Sequence, residues 1–552
     1  MSTNPVSRVR RSLTDLQDEY ESGNKKALED LMRAWKGIKE LPPSDERSFF
    51  VLGGYHGEPF RGAGWGNSTF WGGYCHHGNV LFPVRHRIYV YELEQALRSI
   101  PGCEEVTLPF WDECSEDSLA NGIPWALTAE TFELDGNTVP NPLRSYVFPI
   151  NVVDHISGDN PNYSKGRRYE TVRYPYAGLV GTAADRAATA KHNAQWTYPE
   201  AVELLNKNIV AWLTQTVVIN GRPVSTGVHK AFVACLDAPS YTVFSNTTSS
   251  AAWSDNAPQA VPLESPHNRI HLAVGGFDAA GTDFSPIPGA NGDMGENDTA
   301  GLDPIFFFHH CFIDRVFWLW QQRHGATDDL PIVDQYPGTN SADSQGATPG
   351  IPPNAWLSMD TPLEPFTQAE SGEKYVGRDA FNIETQLGYT YGPGSLEESS
   401  DAGRLESASA PANEPKVHVT GINRGQIRGS FLIEAFAEVD GERKLIGSEA
   451  VLSRWQVVGC ANCQTHLLAG ASFPLHGLDA ERLGEDALGS RSALTRDCSV
   501  AGRIACRRFR PTSRRISASR CGSSELGSQI SLAQRPQRAW VVERDRGERV
   551  LR

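Results

Sequence analysis

With 552 residues, of which 39% are hydrophobic and 21% charged, the chain is long enough for two or three domains with buried cores. Its formal net charge of -15 argues against nucleic acid or an anionic membrane as its main partner. The sequence contains no apolar run of about 18 residues, so no transmembrane helix is predicted. Met1–Tyr20 lacks the apolar core of a secretory signal, which favours a cytoplasmic location. Ten cysteines in a chain this long do not indicate a disulfide framework.

Helical patterns occupy the N-terminal part of the chain. Residues 12–38 are predicted to form one helix with a charged exposed face. A second helix is predicted to begin near Ser44, because Phe49, Leu52 and His56 are spaced three and four residues apart and would share one face.

A stronger helical pattern covers residues 81–97. Pro83 suits the first turn of a helix, and His86 lies on the apolar stripe that follows. Residues 101–260 are rich in proline, asparagine and glycine and are predicted to be mostly loops, with one helix at 199–215.

Two further helices are predicted to begin at serine-proline and aspartate-proline pairs. Ser265-Pro266 is typical of an N-cap and a first-turn proline, and His267 and His271 then lie one turn apart on one face. Asp303-Pro304 repeats the signal and precedes a stripe that includes His309. Four helices with a histidine on each buried face predict a mainly α protein, a four-helix bundle with metal ions in its core.

The C-terminal part has a different character. Residues 393–415 have the composition of a linker. The segments that follow alternate apolar and polar residues, and Asp440-Gly441 indicates a hairpin turn, so a small all-β domain is predicted. Its predicted strands are 416–420, 429–439 and 444–455. Residues 481–552 contain no lysine and many arginines and serines, and they favour disorder or an aberrant sequence such as a translated frameshift.

Six histidines fall into two triplets, and several of them would be buried. A buried imidazole without a partner costs roughly 1–3 kcal/mol, whereas a metal ion satisfies it directly. The triplets are His56, His77, His86 and His267, His271, His309.

Imidazole suits copper, zinc, iron and nickel, so the metal must be argued. A three-histidine site with water would suit zinc. Glu264 and His267 match the Glu-x-x-His motif of di-iron proteins, but the sequence has no second such motif. All-imidazole ligation of both metals best fits a copper pair that binds dioxygen.

Three segments of this chain resemble the copper-binding regions of the tyrosinases. They are YCHHGNVLFPVRHRIYVYELEQAL (74–97), ESPHNRIHLAVGG (264–276) and DPIFFFHHCFIDRVFWLW (303–320). Tyrosinases are type-3 copper proteins related to catechol oxidases and haemocyanins. The resemblance is closest to intracellular fungal tyrosinases made as proenzymes with a C-terminal lid domain, and it covers about residues 1–480.

The resemblance implies a site for each of two copper ions. His56, His77 and His86 would bind copper A, and His267, His271 and His309 would bind copper B. Cys75 would form a thioether to His77, as in some family members. His76 and His310 would have structural roles, and Asp314 could orient an imidazole or pair with Arg315. Tyr389-Thr390-Tyr391 resembles the motif that closes the catalytic domain, whereas Arg85 stands where the family has an aromatic residue.

The resemblance also implies a copper-dependent monophenol and o-diphenol oxidase that uses O2 to form o-quinones for melanin-type pigment. In the family, residues at the positions of Glu264 and Asn268 hold a water proposed as the base for the phenol proton. A catechol oxidase without monophenolase activity and a haemocyanin-like oxygen carrier are the alternatives. The expected partners are small phenols, with a homodimer or homotetramer possible.

The family also implies a division of the chain and a mode of control. We expect a catalytic domain in residues 1–392, an activation cleavage region in 393–415, a lid in 416–480 and a tail in 481–552. Cys460 and Cys463 form a Cys-x-x-Cys pair that is associated with copper loading in similar proenzymes. The lid residue placed over the copper pair would be Val451 or Leu452. The intact chain is therefore expected to be latent.

Overall fold

The computed structural model describes most of the chain up to His476. Cys460, Cys463, most of the predicted cleavage region and most of the tail lie outside the described residues. The described residues are 8–57, 73–153, 164–255, 257–287, 289–343, 348–397, 416–424, 427, 429–439, 442–453, 455 and 468–476, with three two-residue strands at 488–489, 538–539 and 543–544.

Helices dominate the N-terminal part of the described chain. Its α-helices are α1 (Leu13–Glu21), α2 (Lys26–Glu40), α3 (Phe49–Gly54), α4 (Phe82–Arg98), α5 (Glu116–Asn121), α6 (Ala183–Asn193), α7 (Tyr198–Thr214), α8 (Val228–Cys235), α9 (Tyr241–Ser245), α10 (Thr247–Ser254), α11 (Glu264–Gly275) and α12 (Ile305–His324). Short 3-10 helices lie at Trp125–Leu127, Asp293–Gly295, Ala300–Leu302 and Gly377–Ala380.

Strands pair in small sheets in this part and in larger ones after residue 415. The strands are β1 (Arg8–Arg10), β2 (Thr131–Leu134), β3 (Asn137–Pro140), β4 (Val152–Val153), β5 (Ser164–Lys165), β6 (Thr216–Ile219), β7 (Arg222–Ser225), β8 (Pro362–Thr367), β9 (Lys374–Val376), β10 (Tyr389–Tyr391), β11 (Lys416–Asn423), β12 (Phe431–Val439), β13 (Glu442–Val451), β14 (Leu468–Pro474), β15 (Leu488–Gly489), β16 (Arg538–Ala539) and β17 (Glu543–Arg544).

The first predicted helix is in fact two helices. α1 begins after Ser12, whose hydroxyl accepts a hydrogen bond from the Asp15 backbone N–H at 3.0 Å. The chain then turns before α2 begins, and Gly23 takes a φ of 101° there, which glycine adopts without a steric penalty. The single helix predicted over 12–38 is therefore wrong at this turn.

The second predicted helix is shorter than expected. α3 begins after Ser48, whose hydroxyl accepts from the Val51 N–H at 3.2 Å, and it ends at Gly54 after two glycines of poor helix propensity. His56 lies beyond its end. The prediction that His56 lies on this helix is wrong, although the residue is fully buried.

The other predicted helices are confirmed with small shifts at their ends. α4 and α7 match the predicted segments to within one residue at each end. α11 begins at Glu264 rather than after a Ser265 cap, because a proline is tolerated anywhere in a first turn, where its missing N–H has no partner. α12 begins at Ile305, one residue after Pro304, and the Asp303 carboxylate accepts from the Ile305 N–H at 3.2 Å.

The main hydrophobic core surrounds α12, which is buried along most of its length. α4 packs against α12 and α2, while α11 packs against α7 and α8. Aromatic rings fill the space between them, and Trp35 of α2 stacks on Phe308 of α12 with ring centroids 5.6 Å apart. The prediction of a single helix between residues 101 and 260 is wrong, because α5, α6 and α8–α10 lie there as well as α7. These helices are short, so they leave no long periodic pattern in the sequence.

The C-terminal strands confirm the predicted β region. β12 and β13 pair antiparallel, as do β11 and the unpredicted β14. The Asp440-Gly441 turn lies outside the described residues, as does most of the tail, in which β15 and β16 pair with β12 and β17 pairs with β11. A second apolar cluster fills the β region, and Ile219 from the β6–β7 hairpin joins it. Leu432, Ala450, Leu452 and Trp455 instead belong to the main core.

A buried ion cluster ties the chain ends of the helical part together. β10, which contains the predicted Tyr-x-Tyr motif, pairs in parallel with β1. Both tyrosine hydroxyls donate to Asp314 Oδ2, at 2.5 Å from Tyr389 and 2.6 Å from Tyr391. The Asp314 carboxylate also accepts from Arg87 at 2.5 Å and Arg10 at 3.5 Å. Asp314 therefore holds this cluster and does not orient an imidazole as predicted.

Asp314→Asn is expected to lower the free energy of unfolding by about 3–5 kcal/mol at neutral pH, because it leaves buried guanidiniums without their carboxylate. The Arg87 and Arg10 charges hold the pKa of Asp314 below its usual value, against the effect of burial. This stabilisation is complete above the unfolded carboxyl pKa of about 3.9 and is lost as the pH falls through the lower folded pKa. Urea unfolding of both proteins at neutral and acid pH measures it, and a loss under 1 kcal/mol at neutral pH contradicts it.

Candidate metal centre

All six histidines predicted as ligands are buried, and the structure brings them into two groups. In each group, one potential ligand atom per residue lies within 4.8 Å of all the others. The first group is His56, His77 and His86; the second is His267, His271 and His309 with His310 added.

The two groups face each other across a short gap. The rings of His77 and His267 have centroids 5.4 Å apart, and those of His56 and His271 are 6.2 Å apart. His310 stacks on His86 at 4.5 Å. Two metal ions bound here would therefore belong to one binuclear centre.

The outer nitrogens of these rings are held by backbone and side-chain oxygens. Nδ1 of His86 lies 2.8 Å from the Phe82 carbonyl oxygen, one turn earlier in α4. Similar contacts join His56 to the Asn297 carbonyl at 3.1 Å and His271 to the Met294 carbonyl at 2.8 Å. Metal-binding histidines typically donate their second ring N–H in this way, which fixes the tautomer and points the other nitrogen at the metal.

The inner nitrogens meet the requirements of metal ligands. Nε2 of His56 and of His86 is buried without a hydrogen-bond partner among the described residues. Burial lowers the pKa of both histidines, and it lowers the pKa of His271 to about 4. Neutral imidazoles with buried, unsatisfied nitrogens that converge on two points are the donor set for two metal ions.

His310 is a site residue that the sequence reasoning missed. Its Nε2 lies 3.2 Å from Nε2 of His267 and 3.3 Å from Nε2 of His271. Nitrogens that share a tetrahedral metal at the usual bond length lie about 3.3 Å apart. His309 instead places its Nδ1 2.5 Å from a carboxylate oxygen of the buried Glu113. Because α12 is buried on all sides, apolar periodicity does not distinguish His309 from His310.

Cys75 and His76 lie in the loop before α4. Cys75 is buried with its Sγ 3.7 Å from Asn297 Oδ1, and burial raises its pKa to about 11. The thioether to His77 stays a prediction. Nδ1 of His76 contacts the Asn79 amide at 3.3 Å, which agrees with a structural role.

Glu264 and Asn268 lie beside His267 on α11, and both are buried. Glu264 Oε1 accepts from the Gly78 N–H at 2.9 Å, and Oε2 accepts from the Thr247 N–H at 2.8 Å. Asn268 Oδ1 lies 2.8 Å from Nδ1 of His267. Glu264 therefore ties α11 to the loop that carries His77, while Asn268 orients a ligand ring.

Arg85 stands at the position of the expected aromatic residue and packs on two aromatic rings. Its guanidinium lies 4.5 Å from the ring centroid of Tyr89 and 4.8 Å from that of Phe366, and it donates to the Tyr55 carbonyl. Burial lowers its pKa to about 10, so it stays charged at neutral pH. Cation–π packing on two rings therefore takes the place of the aromatic contact.

Comparisons with known proteins agree with this centre. Residues 46–323 match the family model described as the common central domain of tyrosinase. The chain is 54% identical to tyrosinase HcTyr2 of Hahella sp. over 86% of this chain and 89% of the relative. It is 44% identical to a tyrosinase of Aspergillus oryzae, with the same two shares covered. The chain belongs to the tyrosinase family.

A solved tyrosinase structure shares the fold. The tyrosinase from Burkholderia thailandensis superposes with a TM-score of 0.77 at 54% identity, covering 85% of this chain and 91% of that one. This tyrosinase is therefore a copper-dependent oxidase, and its two histidine groups fit the two coppers of the family. Among the described residues, no helix has the length and apolar character needed to cross a membrane.

Proposed function

We propose that this tyrosinase hydroxylates monophenols at the ortho carbon and oxidises the resulting diphenols to o-quinones. The observation that carries the proposal is the convergence of the Nε2 atoms from the two groups. His56, His77 and His86 would hold one copper, and His267, His271 and His310 the other, with His310 replacing the His309 of the sequence prediction. When bound, the copper pair supplies the activation of dioxygen.

The protein's own residues orient the ligands and handle the phenol proton. The carbonyls of Phe82, Met294 and Asn297 keep three ligand rings in the tautomer that presents Nε2 inward. A phenol releases its proton only near pH 10 in water, so hydroxylation requires a base near the copper pair. Asn268 and Glu264 lie beside His267, and a water held by these two side chains would serve as this base.

Asn268→Ala is expected to lower tyrosine hydroxylation about 10–100-fold while reducing catechol oxidation less, because only the first step needs the phenol proton removed. Asn268→Asp is the matched control, since it keeps an oxygen for His267 Nδ1 while it replaces the amide NH2 with a negatively charged oxygen. The ratio of the two activities, measured with the processed enzyme, is the readout. Unchanged hydroxylation in Asn268→Ala would refute the role.

Catechol oxidation without tyrosine hydroxylation in the wild-type processed enzyme would favour the second candidate, a catechol oxidase. In that candidate Asn268 serves only to orient His267. One observation supports this candidate. Both carboxylate oxygens of Glu264 already accept hydrogen bonds from Gly78 and Thr247.

The β region is proposed to be a lid over the copper centre, with a four-helix bundle beneath it, and the intact chain to be latent. Asn268 Nδ2 donates to the Ala450 carbonyl at 3.1 Å, and the Ser265 hydroxyl donates to Glu449 at 2.7 Å. A cavity of about 220 Å³ lies between the two parts, lined by Glu264, Asn268, Arg424 and the end of β13 through Leu452. The copper-handling role of Cys460 and Cys463 belongs to the same proposal.

A further inference from the structure

One buried loop holds a ring from each histidine group. It is the segment 293–299, which begins with the 3-10 helix Asp293–Gly295 and is called the loop Asp293–Thr299 below, and all its residues are buried. The Asn297 carbonyl contacts Nδ1 of His56, and the Met294 carbonyl, three residues earlier, contacts Nδ1 of His271. The two rings lie nearly parallel, with 12° between their planes. The position of this loop therefore sets the orientation of both rings together.

The loop has little freedom to shift toward α11. A Cβ atom added to Gly275, at the end of the helix that carries His267 and His271, would lie 1.8 Å from the Gly295 backbone nitrogen. The loop and the helix are thus in direct backbone contact, and what fixes the loop also fixes the distance between the two groups.

A buried lysine from a distant part of the chain anchors the loop. The Lys165 ammonium, at the end of β5, lies 2.6 Å from Asp293 Oδ1, 3.1 Å from Glu296 Oε2 and 3.2 Å from Thr299 Oγ1. Lys165, Asp293 and Glu296 all have side chains that are nearly fully buried. The Tyr169 hydroxyl adds a donor to Asp293 Oδ2 at 2.7 Å.

We propose that Lys165 is a positioning residue for both copper sites at once, acting through the loop Asp293–Thr299. The ammonium contacts the Asp293 carboxylate at the start of the loop, the Glu296 carboxylate next to the Asn297 carbonyl, and the Thr299 hydroxyl at the end of the loop. Without this charge, Asp293 and Glu296 would be two buried acidic side chains that have lost the donor they share. The loop would then relax, and both ligand carbonyls would move with it. The inference rests on the copper assignment above.

Lys165→Met keeps the aliphatic stem and removes the charge. We expect both coppers to bind about 10–100-fold more weakly, as is typical when a group that orients ligands is lost. Copper titration of the metal-free full-length chain measures the affinities. At saturating Cu(II), we also expect a larger fraction of the copper to be visible by electron paramagnetic resonance, because closely coupled Cu(II) pairs are silent and misplaced ions are not.

Lys39→Met is the control for removing a buried lysine, because the Lys39 amino group also donates inside the protein, to the Ser145 carbonyl at 2.6 Å, and among the described residues it contacts none in the loop. It is expected to keep wild-type copper affinity. Lys165→Arg retains the charge and is expected to restore part of the affinity. If Lys165→Met fails to fold, Tyr169→Phe, which deletes one hydrogen bond to Asp293, should weaken both sites by a smaller factor.

Wild-type affinity and a silent copper pair in folded Lys165→Met, or in Tyr169→Phe if only that variant folds, would overturn the proposal, and so would a loss confined to one copper. Failure of the copper assignment looks different, because the wild-type chain itself would then not bind two ions.

Discussion

His310→Ala is expected to bind one copper ion per chain where the wild type binds two, and to lose phenol oxidation with it. The alanine removes the nitrogen that lies 3.2–3.3 Å from those of His267 and His271, and two imidazoles hold a metal far less firmly than three. The first group, at His56, His77 and His86, keeps all its ligands and should keep its ion. Copper analysis after dialysis against a defined free copper concentration gives the stoichiometry.

His309→Ala is the matched control from the neighbouring position. It is expected to retain two copper ions but to unfold more easily, by about 1–3 kcal/mol, because the buried Glu113 loses its imidazole partner at 2.5 Å. The opposite pattern, with copper lost from His309→Ala and kept by His310→Ala, would return the ligand role to His309. Because His309 also has a buried Nε2 without a hydrogen-bond partner among the described residues, the comparison of the two variants decides between the neighbouring histidines.

Cleavage within residues 393–415, followed by removal of the β region, is expected to raise phenol oxidation about tenfold or more. In the intact chain, the Asn268 amide N–H donates a hydrogen bond to the Ala450 carbonyl, and the Ser265 hydroxyl donates one to Glu449. Losing contacts worth about 1.4 kcal/mol raises the equilibrium constant for opening the site tenfold. L-DOPA oxidation, measured before proteolysis, after it, and after separation of the fragments by gel filtration, gives the effect.

The separation step is part of this prediction. Leu452 and Trp455 lie in the main hydrophobic core, so a cut linker alone should leave the β region in place and release activity only partly. Cleaved His310→Ala serves as the control and should stay inactive. Equal activity of the intact chain and the separated catalytic fragment would contradict latency. Little turnover in either form would also contradict it and would indicate a haemocyanin-like carrier.

Local sequence patterns predicted the helices that carry three of the ligand histidines. His86 on α4 and the pair His267 and His271 on α11 follow from helical spacing, and the structure places all three in the centre. His56 and His77 lie outside helices, so helical periodicity could not position them, and the family resemblance assigned them to a copper site.

Features that depend on distant parts of the chain could not be predicted. The contacts of the Met294 and Asn297 carbonyls with ligand rings join residues far apart in sequence. The role of Asp314 likewise depends on Arg10 and Tyr389 from near the two ends of the helical part. Choosing His310 over His309 required the positions of the facing nitrogens, because both residues are buried on the same helix.

The sharing of the main core by the β region has a consequence for substrate choice. Leu432, Ala450, Leu452 and Trp455 pack with the apolar side chains of the helical part. On the proposed maturation, their departure uncovers an apolar surface close to Asn268. A newly exposed apolar patch rimmed by polar groups is the usual form of a ligand-binding surface. The rings of phenols would then cover the surface that the enzyme's own side chains had covered before.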